Sequence, residues 1–155
     1  MTRSLHSFGK PSVRTVFSSL ALVALASAAL AHSGATGIVK ERMEGMKIMS
    51  NATKALGAMQ AGAIPFSLDT VTFVAGEIGQ SAQAARDQFP DGSIDGPSEA
   101  LPLIFAEREK FDALLAELET LAAQLGESQE PEAVADLTTR IGDNCKSCHA
   151  RYRKK

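Results

Sequence analysis

Two cysteines and a histidine stand together near the end of the chain, as Cys145, Lys146, Ser147, Cys148 and His149, and no other cysteine occurs in the 155 residues. Few chemistries suit that spacing. CxxCH is the pattern in which two thiols add across the vinyl groups of a haem, while the next histidine becomes the proximal ligand of its iron. On a helix, Cys148 follows Cys145 by three residues and His149 by four, so one face carries all three and a single turn grips both edge and metal. The rival readings are weaker. Structural zinc wants four ligands, and the remaining histidines, His6 and His32, lie far off at the N-terminal end. A thioredoxin-like CxxC belongs beside a βαβ pattern, which the sequence lacks, and a disulfide across two residues closes too small a loop to staple much. The motif predicts one haem c, attached through Cys145 and Cys148 and ligated by His149.

The start of the chain predicts export. Arg3, Lys10 and Arg14 form a basic region without acids, Val16 to Leu30 is largely apolar, and Ala29, Leu30 and Ala31 make an A-x-A cleavage site. Residues 1–31 therefore read as a secretory signal peptide and 32–155 as the mature domain. Ser18, Ser19 and Ser27 interrupt the apolar run, which is short for a span, so no membrane span is expected after cleavage. Export puts the domain in the periplasm, an oxidising compartment in which haem attachment gives both thiols a defined fate. Cleavage takes away three basic residues and no acids, which leaves 124 residues and moves the net charge from −2 to −5. One domain of usual size follows, with a surface ill suited to nucleic acid or anionic membrane. Aromatics are few in the mature chain: Phe66, Phe73, Phe89, Phe105, Phe111 and Tyr152, with no tryptophan. They are read as core residues, and a buried haem would supply the missing bulk.

Four helices must position the motif. The first spans about Gly37 to Gln60, with Val39, Met43, Met46, Met49, Leu56 and Met59 at helical steps, and Gly62 and Pro65 end it. The second starts at Ser67 as N-cap and turns Val71, Val74, Ile78, Ala82 and Ala85 inward until Pro90 and Gly92. A connection rich in proline and glycine runs to Pro102. The third helix, from about Pro102 or Ile104 to Leu125, carries Ile104, Phe111, Leu115, Leu118, Ala122 and Leu125 and stops at Gly126. The fourth opens with Pro131 at its first position, and its stripe of Val134, Leu137, Ile141, Cys145, Cys148 and Tyr152 runs through the haem motif. The fold expected is all-α: an antiparallel four-helix bundle with the cofactor built into its interior.

The mature chain resembles the class II c-type cytochromes, cytochrome c' and the low-spin cytochrome c-556. The residues that carry the resemblance are the terminal CxxCH with Arg153 four residues beyond its histidine, Arg42 to Lys47, Lys54 to Met59, Pro65-Phe66, and Pro102 to Asp112. In the last stretch, Pro102, Leu103, Ile104 and Phe105 stand where the family has Pro-x-Ile-Trp. The resemblance implies a four-helix bundle, one covalent haem and a periplasmic location. It also implies that Met46 occupies the place of the family's distal methionine or another apolar side chain. As a ligand, Met46 would give a six-coordinate, low-spin electron carrier of the cytochrome c-556 type, because a soft thioether favours reduced iron. As a mere wall, it would leave the five-coordinate, gas-binding site of a cytochrome c'. Met43 after Arg42, where cytochrome c' often has glutamine, inclines the chain to the low-spin branch. Met43 and Met49 are further thioethers on this helix, and all of them are also spaced as core residues.

Arg42 and Arg153 are read, through the same resemblance, as partners of the haem propionates or shields of the pocket edge. The simpler alternative is a solvated helix residue in each case. Arg151, Arg153, Lys154 and Lys155 complement the dipole at a helix C-terminus or form a docking patch for an acidic redox partner. Glu107 to Lys110 are read as an exposed helix face, and His32, at the new N-terminus, as frayed in preference to copper-binding. No nucleophile with a paired base is recognisable, so no enzyme is expected. The partners expected are periplasmic redox proteins, with a homodimer possible.

Overall fold

The structure is a computed structural model that describes residues 34–94 and 96–155. The expected signal peptide, His6 and His32 lie outside the described residues. Ala35–Lys155 forms one compact unit, an antiparallel four-helix bundle. Helix α1, Gly37–Gln60, ends in a turn where Gly62 N–H reaches the Met59 carbonyl at 3.0 Å and Ala63 N–H reaches that of Ala58 at 2.9 Å. Gly62 has φ +68°, the left-handed conformation that such a helix end requires. Helix α2, Leu68–Asp87, is capped as its sequence predicts, the Ser67 hydroxyl accepting from Thr70 N–H at 3.2 Å. All five of its expected inward positions are buried.

The expected third helix is two. A single turn, α3, Leu103–Ala106, is separated from α4, Arg108–Glu127, by Glu107 at φ −125°, ψ 38°. Glu107 N–H still closes α3 on the Leu103 carbonyl, while its own carbonyl accepts from Lys110 and Phe111 and opens α4. Helix α4 also runs past Gly126, whose backbone lies near Ala75 of α2. Its six expected apolar positions are all buried, counting Ile104 in α3. Helix α5, Pro131–Tyr152, has the predicted proline in its first turn and buries Val134, Leu137, Ile141 and Tyr152.

Two clusters make up the core. The larger joins all four long helices through Leu56, Val71, Ile78, Leu125 and Ile141, with Met46 and Cys145 packed on its edge. The smaller gathers Phe89, Ile104, Phe111, Leu115 and Tyr152, with Phe105 and Cys148 on its edge. Phe111 stands edge-on to Phe89 at 5.0 Å and to Tyr152 at 5.3 Å. The two cysteines thus mark the border between the clusters. Phe66 and Phe73 do not belong to the core: Phe73 is 67% exposed, because the inward stripe of α2 passes through its neighbours Val71 and Val74.

The residues after His149 are strapped to the proline-rich connection. Leu101 N–H donates to the Tyr152 carbonyl at 2.8 Å and Lys154 N–H to that of Glu99 at 2.7 Å, forming a bridge between Ala100 and Arg153. Arg151 pairs with the Glu107 carboxylate, and Tyr152 O–H donates to it at 3.1 Å. Glu107 to Lys110 are therefore not one solvated face. Glu107 is the acceptor of this clasp, and Arg108 donates to the carbonyls of Phe89 and Arg86, closing the end of α2. Periodicity alone could not reveal partners about 20 and 45 residues away.

Candidate haem site

Helix α5 carries the CxxCH residues on the side that faces α1 and α4. A cavity of about 170 Å³ lies there, lined by Met46 and Met49 from α1, Leu115 and Leu118 from α4, and Cys145, Cys148 and His149 from α5. It reaches the surface at Ser50 and His149, which are exposed. Three of the sequence-predicted residues of the motif and Met46 are therefore brought together. Met43 is not on the cavity wall. Met49 is, and it is also buried in the larger cluster, whereas Met46 is only half-buried at that cluster's edge.

Both thiols are unpaired and half-buried. Burial pushes Cys145 above the usual thiol range and Cys148 up to about 11, where the neighbouring Cys145 adds to the effect. They are neutral thiols at neutral pH, a poor basis for disulfide exchange or thiolate metal binding. Among the described residues no cluster of three metal-ligating side chains occurs. The His149 pKa is lowered, first by desolvation and then by the Arg153 charge, with Glu99 opposing. Its imidazole is thereby biased to the neutral form that ligates metal.

Arg42 is where the solvated-helix alternative fails. It is only 5% exposed, with its guanidinium 4.3 Å from the centre of the Phe89 ring. One terminal nitrogen donates to the Ser93 carbonyl and, at 2.7 Å, to the Ser93 hydroxyl; Nε and Nη1 have no partner among the described residues. A buried cation with idle donors calls for an anion, since each unsatisfied donor costs about 1–3 kcal/mol. The carboxylates of a haem fit that need, and the thiol pair, the neutral imidazole and the apolar cavity fit the rest of the group. Arg153 is different: it is exposed and its Nε bonds Glu99 at 2.7 Å. Lys154 Nζ donates to the Ser98 carbonyl at 2.8 Å, so most of the basic cluster is engaged in holding the chain end.

The decisive comparison is with protein families: a model of the family described as Cytochrome C' matches residues 37–153. The chain belongs to the cytochrome c' family. It is accordingly a monohaem c-type cytochrome with covalently bound haem c. Cytochrome c-556 of Agrobacterium tumefaciens (strain B2A) is 38% identical over 123 residues, covering 77% of this chain and 98% of that relative. Cytochrome c' of Rhodopseudomonas palustris is 33% identical over 124 residues, covering 77% of this chain and 84% of the relative. A solved structure of cytochrome c' from Rhodopseudomonas palustris matches with a TM-score of 0.72 at 31% identity, covering 78% of this chain and 98% of that one. Both branches of the family are thus represented among its relatives.

Sequence reasoning missed two residues at this site. Asn144 lines the cavity and is buried, and its place three residues after Ile141 and four before Cys148 was a signal for it. Ser93, the partner of Arg42, lies in the connection, where no periodicity operates.

Proposed function

We propose that this cytochrome is a periplasmic one-electron carrier whose haem is held by Cys145, Cys148 and His149 below and Met46 above. The observation that carries the proposal is that Met46 and His149, from α1 and α5, line the same cavity. When bound, haem c supplies a one-electron iron couple. The chain's own residues do the rest. Cys145 and Cys148 hold the macrocycle's edge covalently. With His149 and Met46 both available as ligands to the iron, electron exchange would need no bond to be made or broken. Met46 suits the task because its half-buried thioether is not locked into the core, whereas Met49 already packs there. Leu114, Leu115 and Leu118 on the cavity wall keep water away, which limits rearrangement around the site. Arg42 and Arg153 stand off the cavity wall; Arg42 would offer its idle N–H groups to a haem carboxylate, and Arg153, tied to Glu99, would shield the edge of the group.

A signal peptide of residues 1–31 delivers the 32–155 domain to the periplasm, where its partners are other redox proteins. No helix among the described residues is long and apolar enough to cross a membrane.

The similarity to Rhodopseudomonas palustris cytochrome c' favours a second reading, in which Met46 only walls the cavity and the iron binds small gases such as nitric oxide. Replacement Met46→Ala separates the two. For the electron carrier, the variant becomes high-spin and gains an affinity for carbon monoxide that the parent lacks. An unchanged coordination state in the variant contradicts methionine ligation.

A further inference from the structure

Asn144 is a buried amide on the same wall as the attachment cysteines, and it spends both of its N–H bonds on helix α4. Its Nδ2 donates to the Leu114 carbonyl at 3.2 Å and to the Glu117 carboxylate at 3.1 Å. Leu114 and Leu118, which flank Glu117 on α4, both line the cavity, as does Asn144 itself. Glu117 is an exposed residue, and a free surface carboxylate would spread its charge over many rotamers in water. Here an amide that is itself buried, on the cavity wall just before Cys145 in the chain, holds one oxygen of that carboxylate.

We propose that Asn144 is a positioning residue that holds the Glu117 carboxylate against the haem site, and that this fixed negative charge lowers the reduction potential. The inference rests on haem being seated at Cys145, Cys148 and His149. The oxidised centre carries one more positive charge than the reduced one, so a nearby anion favours the oxidised state. The bond from buried Asn144 keeps this exposed carboxylate near the cavity wall, so its charge acts from a shorter distance than that of a side chain extended into solvent. Reduction potentials of haem proteins respond to such second-tier charges and hydrogen bonds as well as to the axial ligands.

The test is a redox titration of the mature, haem-loaded protein, with the optical spectrum recorded at each point. Glu117→Gln removes the charge and keeps an acceptor for Asn144. It raises the midpoint, shifting the ratio of reduced to oxidised protein about threefold at a given potential, or roughly 30 mV for one electron. Asn144→Ala frees the carboxylate to swing into water and moves the midpoint in the same direction. The double variant goes no higher than Glu117→Gln alone, and the ligation bands stay unchanged throughout. The assignment is overturned if Glu117→Gln titrates like the parent, if it shifts while Asn144→Ala does not, or if the two shifts add. Should haem remain fully attached after Cys145→Ala and Cys148→Ala together, the seat of the haem itself is wrong; unmoved potentials in a protein whose haem needs those cysteines overturn the pair alone.

Discussion

Arg42 shows how much one buried side chain says about its surroundings. Its guanidinium is stacked on Phe89 and anchored to Ser93, with two nitrogen atoms unpartnered among the described residues. Burial also lowers its pKa, the direction expected for a cation short of water. A haem carboxylate would complete it, so Arg42→Gln should destabilise the haem-loaded protein by about 1–3 kcal/mol, the cost of losing hydrogen bonds to a charged group. Denaturant unfolding of parent and variant measures this, and a difference below about 0.5 kcal/mol, the range of ordinary surface changes, would mean that Arg42 binds no anion. The type of this residue was legible in the sequence through its place one turn before Met46. Its burial was not, because Ser93 and Phe89 reach it from the end of α2 and the connection, about 50 residues along the chain.

At the scale of elements, the long helices follow from apolar period and end signals. Ser67, Gly62 and Pro131 act where their chemistry predicts, and the bounds of α1 and the stripe of α5 could be read directly. The break at Glu107 could not, since what stabilises it is the clasp with Arg151 and Tyr152 from the end of α5. Hydrogen bonding from Arg151 is the first cause that pulls the Glu107 carboxyl from an ordinary 4.5 down to about 2. The folded-state pKa lies below the unfolded one, so the clasp contributes its full stability above about pH 4.5 and loses it as the pH falls toward 2. Glu107→Gln should therefore unfold at lower denaturant than the parent at pH 6, with the gap narrowing steadily toward pH 2.5. A gap independent of pH would mean that the carboxylate's charge plays no part. The segment after His149 keeps a second restraint when this clasp loosens, the Ala100–Arg153 bridge.

For the whole molecule, the bundle places α1, α4 and α5 around one cavity and leaves α2 to complete the core, chiefly against α4 and α1. The fold was legible because four amphipathic helices, each with its own stop, admit few other packings. The haem motif was legible because a histidine directly follows the second cysteine and no further ligands exist for the rival chemistries. The distal side was less so: four methionines share α1, and only their placement puts Met46 and Met49, not Met43, on the cavity. Export and attachment make a joint prediction. Protein recovered from the periplasm should have the intact mass of residues 32–155 plus one haem, the haem resisting acid-acetone extraction; a mass that includes residues 1–31 would contradict cleavage before His32. The most direct test of the central claim is the optical spectrum of that mature protein, oxidised and reduced, with and without carbon monoxide. Ligation by His149 and Met46 predicts sharp low-spin bands, a methionine-to-iron charge-transfer band when oxidised, and little response to the gas. A broad high-spin spectrum that shifts on adding carbon monoxide would contradict it and leave Met46 a wall of an open site.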